Sequence, residues 1–133
     1  MRYLLDTNIL SALVRSPKGR ISERIGHVGE VNVYTSVVAA AELRFGAARK
    51  GSERLSRQVE AVLAAIPVAA WQPPFDRVYA DLRLGLELAG TPIGANDLLI
   101  GSHALADGSI LVTDNTREFE RITGLTIENW LRA

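Results

Sequence analysis

Short apolar runs alternate along the chain with longer stretches whose apolar residues recur every three or four positions. That change of period predicts strands interleaved with helices. Tyr3-Leu4-Leu5 reads as a buried strand, and Thr7 to Arg15 as a helix with Ile9, Leu10, Leu13 and Val14 on one side. Ser22 to His27 reads as a second, short helix, and Val31 to Thr35 alternates as a strand does. Ser36 is placed to cap a helix that runs to Lys50, with Gly51 as its stop. Leu55, Val59, Val62, Leu63 and Ile66 mark an amphipathic helix that Pro67 ends. Val68 to Trp71 predicts a short strand. Pro73 or Pro74 then opens a helix with Phe75, Val78, Tyr79, Leu82, Leu86 and Ala89 as its buried stripe. Leu98 to Ala106 is apolar nearly all round and predicts a buried helix. Ser109 to Thr113 follows as a near-continuous apolar strand, then a helix over Thr116 to Ile122 and an edge strand over Leu125 to Ile127.

Strands alternating with helices predict an α/β layered fold with a mostly parallel sheet. Ligands of such sheets sit beyond the carboxyl ends of the strands. A length of 133 residues without repeats or linkers fits one domain over residues 1–133. The absence of cysteine excludes a disulfide scaffold, a thiolate zinc site, an iron–sulfur cluster and a cysteine nucleophile. The opening run meets Asp6 too soon for a signal peptide, and the longest apolar stretch, Ala61 to Trp71, is broken by Pro67. No membrane role is expected, and the cytoplasm is the expected location.

Net charge is zero but unevenly spread. Residues 15–57 carry nine Lys/Arg against four acids, whereas residues 58–133 carry five against ten. A solvated surface accounts for such a split. So does a basic rim beside an acidic centre, which would draw a polyanion and hold a cation.

The acids fall at telling places. Asp6 directly follows the first strand and Asp114 the last long one. Glu42 lies on a helix stripe with Val38 and Phe45, where a lone carboxylate costs several kcal/mol unless an arginine or a metal ion pairs it. Asp97 stands at the start of the most apolar helix. Capping explains Asp6 and Asp97 individually. Four carboxylates at one crevice would repel one another unless a cation sat between them, and carboxylate oxygens suit Mg²⁺ or Mn²⁺. The two histidines, His27 and His103, lie apart from these acids, and there is no glycine-rich phosphate loop. Trp71 and Trp130 read as core.

The motifs fall into a familiar order. Leu4-Leu5-Asp6-Thr7-Asn8 resembles the opening of PIN-domain ribonucleases. Ser36-Val37-Val38 with Glu42-Leu43 and Gly46 resembles their second motif, Gly94-Ala95-Asn96-Asp97 their third, and Val112 to Phe119 their last. The Asn-Thr-Arg-Glu-Phe stretch and the Trp130 ending are most similar to the VapC-type toxins of type II VapBC toxin–antitoxin pairs. The resemblance implies a three-layer α/β/α PIN-like fold and a Mg²⁺- or Mn²⁺-dependent endoribonuclease. Such a toxin cuts structured RNA, often transfer RNA, to stop translation. It further implies a homodimer neutralised by a cognate antitoxin whose segment lies over the acidic groove.

Residue by residue, Asp6, Glu42 and Asp97 match the family's metal-binding acids, and Thr7 matches a hydroxyl near the metal. The fourth acid usually lies two residues after the last motif's threonine. Here Asn115 stands there, with Asp114 one residue earlier. Asp114 can substitute, Glu118 can reach in, or Asn115 can hold water at the metal. Arg44, Arg49, Lys50 and Arg117 are candidates to grip the RNA backbone. Asp6→Asn and Asp97→Asn are both expected to raise stability without metal by removing repulsion. Two other readings remain: a module that only binds RNA or an antitoxin, and a phosphohydrolase with Asp6 as nucleophile. The usual second aspartate of such phosphohydrolases is replaced by Asn8.

Overall fold

The computed structural model describes residues 1–132. Its centre is the strand β1, Tyr3–Leu5, in which Leu4 and Leu5 are completely buried. Strands β2 (Val33–Ser36), β3 (Val68–Ala69), β4 (Ile110–Val112) and β5 (Ile127–Glu128) join it in a five-stranded, wholly parallel sheet ordered β3-β2-β1-β4-β5. Leu4 sits between Tyr34 and Leu111, and Leu5 between Thr35 and Val112. Burial on both faces explains the continuous apolar runs. Because β1 is central, the chain leaves it toward β2 on one side and later returns to β4 on the other. A crevice therefore opens where the carboxyl ends of β1 and β4 part.

Among the described residues, seven α-helices cover the sheet. Helices α1 (Thr7–Arg15), α3 (Val37–Lys50) and α4 (Glu53–Ala65) pack on one another, and α2 (Arg20–Val28) packs on α1. Helix α5 (Phe75–Leu88) packs along α6 (Ala95–Asp107), and α7 (Thr116–Phe119) lies by β5. Ser36 accepts from the Val38 amide at 3.1 Å to cap α3, and Gly51 ends it at φ 67°, a left-handed value that an L side chain resists. None of the helices among the described residues is long and apolar enough to cross a membrane.

Several elements differ from their sequence reading. Gly29, at φ 95°, turns the chain into a short 3-10 turn over Glu30–Asn32, so β2 starts two residues later than the alternation predicts and Val31 is 94% exposed. On α5 only Phe75 and Leu86 of the predicted stripe are buried, and Ala89 is exposed. Helix α6 begins at Ala95 on an uncapped Gly94, which places Asp97 inside its first turn and not at its cap. Helix α7 stops at Phe119, and β5 falls at Ile127–Glu128. Trp130 is core at 2% exposed, whereas Trp71 is half-buried and donates its indole N–H to the Leu99 carbonyl at 2.9 Å. His103 is completely buried, stacked on Phe75 at 4.3 Å, and burial lowers its pKa. It is a core residue.

The approach of α7 to α6 fixes one wall of the crevice. Phe119 is completely buried, and its neighbour Ile122 lies over Gly101 of α6, where a Cβ would come within 2.7 Å of the Ile122 Cδ1. Phe119→Ala should cost ~3–5 kcal/mol, as loss of a buried aromatic ring does. Urea unfolding of parent and variant measures it, and a loss under 1 kcal/mol would show that Phe119 is no anchor.

Candidate active site

Asp6 leaves the end of β1 and donates its amide to the Val112 carbonyl of β4 at 2.9 Å. Its side chain caps α1, with Oδ1 accepting from the Thr7 amide at 2.8 Å. Oδ2 accepts from the Thr113 hydroxyl at 2.7 Å and the Asn8 amide at 3.3 Å. The residue is 2% exposed. Burial raises its pKa against the pull of Thr113 and Thr7, and the Glu42 charge adds to the rise. Capping and site membership are therefore the same arrangement. With both oxygens engaged and little exposure, Asp6 is poorly placed as a phosphoryl-accepting nucleophile.

Glu42 projects from α3 toward α1. Its Oε1 accepts from the Thr7 hydroxyl at 2.6 Å and its Oε2 from the Asn96 amide at 3.0 Å. The expected apolar stripe around it is only partly present, because Phe45 is 63% exposed. Glu42 is thus half-buried at a rim, satisfied by a hydroxyl and an amide instead of an arginine.

Asp97 faces Asp6 and Glu42 from the first turn of α6. Burial comes first in raising its pKa to about 7, followed by a hydrogen bond to Glu118 and the charges of Asp6, Glu118 and Glu42. The Asn115 amide donates to Asp97 Oδ2 at 2.9 Å and to Glu118 Oε2 at 2.7 Å, tying the two carboxyls together. Glu118 also accepts from the Gly94 amide at 3.4 Å. Its pKa is held low, first by the hydrogen bond from the Asp97 acid and then by Asn115. Asp97, the more buried partner, keeps the proton and Glu118 the charge.

Asp114 does not join them. The Thr113 hydroxyl accepts from the Asn115 amide N–H at 3.0 Å, a tight turn that swings Asp114 outward. Its Oδ1 accepts from Asn129 at 2.9 Å and from the Arg132 Nε at 3.2 Å, which together hold its pKa low, Asn129 foremost. Glu118, and not Asp114, stands beside Asp97, with the Asn115 amide between the two. Three supporting residues were not singled out in the sequence for these bonds: Asn8, Asn96 and Thr113. The only sequence signal for them is adjacency, each being next to, or at the strand end opposite, a candidate acid.

The basic candidates divide. Arg44 is locked in a two-pronged pair with Glu60, both bonds 2.9 Å, and braces α3 against α4. Its guanidinium is already matched, which argues against its expected backbone grip. Arg49 lies over the exposed Phe45 ring at 5.6 Å. Arg49 and Lys50 line a cleft that Thr7 and Glu42 share. Arg117 is exposed on α7, two residues beyond Asn115.

This donor set suits a hard divalent cation. Its acids are oxygen ligands under mutual repulsion, and the amides and hydroxyls orient them from behind. Among the described residues no three acidic or histidine side chains already stand as a closed ligand set. Mg²⁺ is commonly held by one or two carboxylates with water completing its shell, so a closed set is not required.

The chain matches the PIN domain family model over residues 3–125. It is 34% identical over 132 residues to ribonuclease VapC2 of Rickettsia felis, covering 98% of both chains. It is 32% identical over 131 residues to the tRNA(fMet)-specific endonuclease VapC of Shigella flexneri, covering 98% of each. In structure it superposes on a chain of the DNA-bound VapBC2 complex of Rickettsia felis with a TM-score of 0.90, 33% identity, and coverage of 98% of this chain and 99% of that one.

The structure separates the two acid-to-amide changes. In Asp97→Asn the new amide can donate to Glu118 as the protonated acid does, while the repulsion disappears. In Asp6→Asn the Oδ2 position must accept from Thr113 and Asn8, which an NH₂ cannot do. With chelator present, Asp97→Asn should melt about 3–5 °C higher, the response to ~1 kcal/mol in a domain of this size. Asp6→Asn should melt no higher than the parent. The Asp97 pKa is raised, so its contribution to stability is full below pH 4 and lost as pH rises toward about 7. The gain from Asp97→Asn should therefore grow between pH 4 and 8. Melting curves over that range check it, and a gain largest at low pH would contradict the raised pKa.

Proposed function

The chain belongs to the PIN domain family, and on that premise we propose that it is a divalent-metal-dependent endoribonuclease of the toxin class, restrained in the cytoplasm by a cognate antitoxin. The observation that carries the reading is the meeting of Asp6, Glu42, Asp97 and Glu118 where β1 and β4 part. Each comes from a different element, and each is hydrogen-bonded to a hydroxyl or amide. A fold that needed these acids only for stability would pair them with arginines, as it pairs Arg44 with Glu60.

Asp6 and Asp97 would hold Mg²⁺ or Mn²⁺, with Glu42 and Glu118 alongside. A bound ion would supply polarisation of a phosphodiester and a more acidic water. The protein's own contributions are orientation and exclusion. Thr113 and Asn8 fix the Asp6 carboxylate, Thr7 and Asn96 fix Glu42, and Asn115 fixes Asp97 and Glu118. Glu42, half-exposed at the rim, is placed to orient the attacking water and accept its proton. Attack at phosphorus opposite the 3′-oxygen would break the P–O3′ bond, and the departing 3′-oxygen would take a proton from solvent water, leaving a 5′-phosphate and a 3′-hydroxyl. Histidine takes no part, since His103 is enclosed in the core.

The cleft that runs from Glu42 past Thr7, Leu43, Ala47 and Val59 suits an apolar segment of the antitoxin, and Arg49 and Lys50 stand at its side. The solved relatives from Rickettsia felis and Haemophilus influenzae are VapBC complexes, which supports a protein partner here. A homodimer is the expected form of the free toxin. Transfer RNA is the favoured substrate class, since the Shigella flexneri relative is specific for tRNA(fMet).

Purified protein should cleave bacterial RNA with Mg²⁺ and stop on adding EDTA. Asp6→Asn and Asp97→Asn should abolish cleavage. Asn115→Ala, which removes only an orienting amide, should slow it ~10–100-fold. Mapping the ends of the fragments checks the 5′-phosphate. Cleavage that survives EDTA, or that Asp97→Asn leaves at the parent's rate, would overturn the reading.

A further inference from the structure

Apart from the acidic crevice, one strongly charged hollow remains unexplained. An open notch of about 570 Å³ at the β5 edge is lined by Arg20, Arg24, Glu128, Asn129, Trp130 and Arg132. Three of these carry positive charge, and Glu128 is the one acid among them. The charges are only partly answered: Arg24 pairs with Glu128 and Arg132 with Asp114, both at the solvent-facing side. Arg20 Nη1 donates to the neutral Leu131 carbonyl at 2.8 Å. Arg24 reaches Glu128 only at 3.4 Å, and that Glu128 oxygen already accepts from the Trp130 indole at 2.9 Å. The Arg24 Nε is buried without a hydrogen-bond partner, and its guanidinium carbon lies 5.5 Å from the Trp130 ring centre. Arg132 is 76% exposed.

The notch is joined to the crevice. Arg132 and Asn129 both bond Asp114, whose backbone amide donates to Asn8 Oδ1 at 3.0 Å, and Asn8 in turn bonds Asp6. Asn115, which follows Asp114, bonds Asp97. Asp114 thus links residues of the notch to the residues that hold Asp6 and Asp97.

We propose that Arg20, Arg24 and Arg132, with Asn129, form a phosphate-binding notch that grips the RNA backbone beside the scissile bond. The inference rests on the ribonuclease reading and adds the residues that position the strand. Guanidinium groups suit this role, because each presents several donors in a planar fork matched to phosphate oxygens. Asn129 supplies an uncharged contact. Arg44 is less free for this role, because two of its donors meet both Glu60 oxygens at 2.9 Å, whereas Arg132 meets Asp114 through Nε alone at 3.2 Å.

The test measures binding of a fluorescein-labelled single-stranded RNA by anisotropy in EDTA, over a range of salt. One single-strand phosphate contact contributes about 0.7 to the slope of log affinity against log salt, which is about fivefold in affinity at 0.1 M salt. Arg20→Gln and Arg132→Gln should each lose about fivefold and flatten the slope by about 0.7. Arg20→Lys should keep the slope. With Mg²⁺ and bacterial RNA, the Arg20→Gln KM should rise while kcat stays. If the parent cleaves RNA but both glutamine variants bind it with the parent's affinity and slope, the notch is overturned and the ribonuclease reading survives. If the parent fails to cleave yet Arg20→Gln still loses affinity, the notch stands and the ribonuclease reading falls. Variants that bind RNA normally but lose binding to a polyglutamate peptide would give the notch to an acidic protein segment and also overturn the proposal.

Discussion

Repulsion among like charges is the constraint around which the crevice is organised. The Glu42 charge raises the pKa of Asp6, and the charges of Asp6, Glu118 and Glu42 raise that of Asp97. A protein built for stability alone would dilute such a group or thread arginines through it. Here the acids are held by neutral donors, chiefly Thr7, Asn8, Asn96, Thr113 and Asn115. Neutral donors fix geometry without cancelling charge, so the field at the crevice stays available to a cation. Between Asp97 and Glu118 the repulsion is eased by a hydrogen bond that raises the pKa of the first and lowers that of the second.

The scaffold's task is to keep the repelling groups from separating. Strand β1 is the central strand, bonded by β2 on one side and β4 on the other, and this fixes the backbone that leads into Asp6. The opposing wall depends on packing. Gly101 lets Ile122 and Phe119 close on α6, and that contact sets the turn from which Asn115 and Glu118 face Asp97. A buried ring and a missing Cβ thereby hold α7, and with it Glu118, against α6.

Legibility in the sequence followed the range of the interactions concerned. Asp6 could be found because an apolar run, a strand end and a helix start are all local signals. Helix α3 was legible to the residue for the same reason, since Ser36 and Gly51 act on their immediate neighbours. Between Asp114 and Glu118 the sequence left the choice open, because it turns on where the Thr113 hydroxyl points, and that depends on Asp6, over a hundred residues away. Helix α5 shows the limit of periodicity. Its spacing reports an amphipathic helix, but not how far a neighbour covers it, and Leu84 and Leu88 remain exposed. Val31 was misread because Gly29 inserts a turn that alternation does not reveal. The family resemblance supplied the order of the motifs; it did not supply the partners of their side chains.

Basic residues raise the same problem in reverse. Nine Lys/Arg fall within residues 15–57, yet the fold separates them: Arg20 and Arg24 line the notch at β5, Arg49 and Lys50 the cleft beside Glu42, and Arg44 meets Glu60. What each contributes depends on its partner. A two-pronged carboxylate pair consumes both the charge and the donors of Arg44, and in an exposed setting adds little to stability. A carbonyl beneath Arg20 and an indole beneath Arg24 hold the guanidinium in place while leaving its field outward. Orientation without neutralisation therefore serves both halves of the charge pattern. Hydroxyls and amides do for the acids what carbonyl and ring do for the arginines. A substrate that is itself a string of negative charges would gain from this twice, once through a cation held by the acids and again where the arginines of the proposed notch would meet it directly.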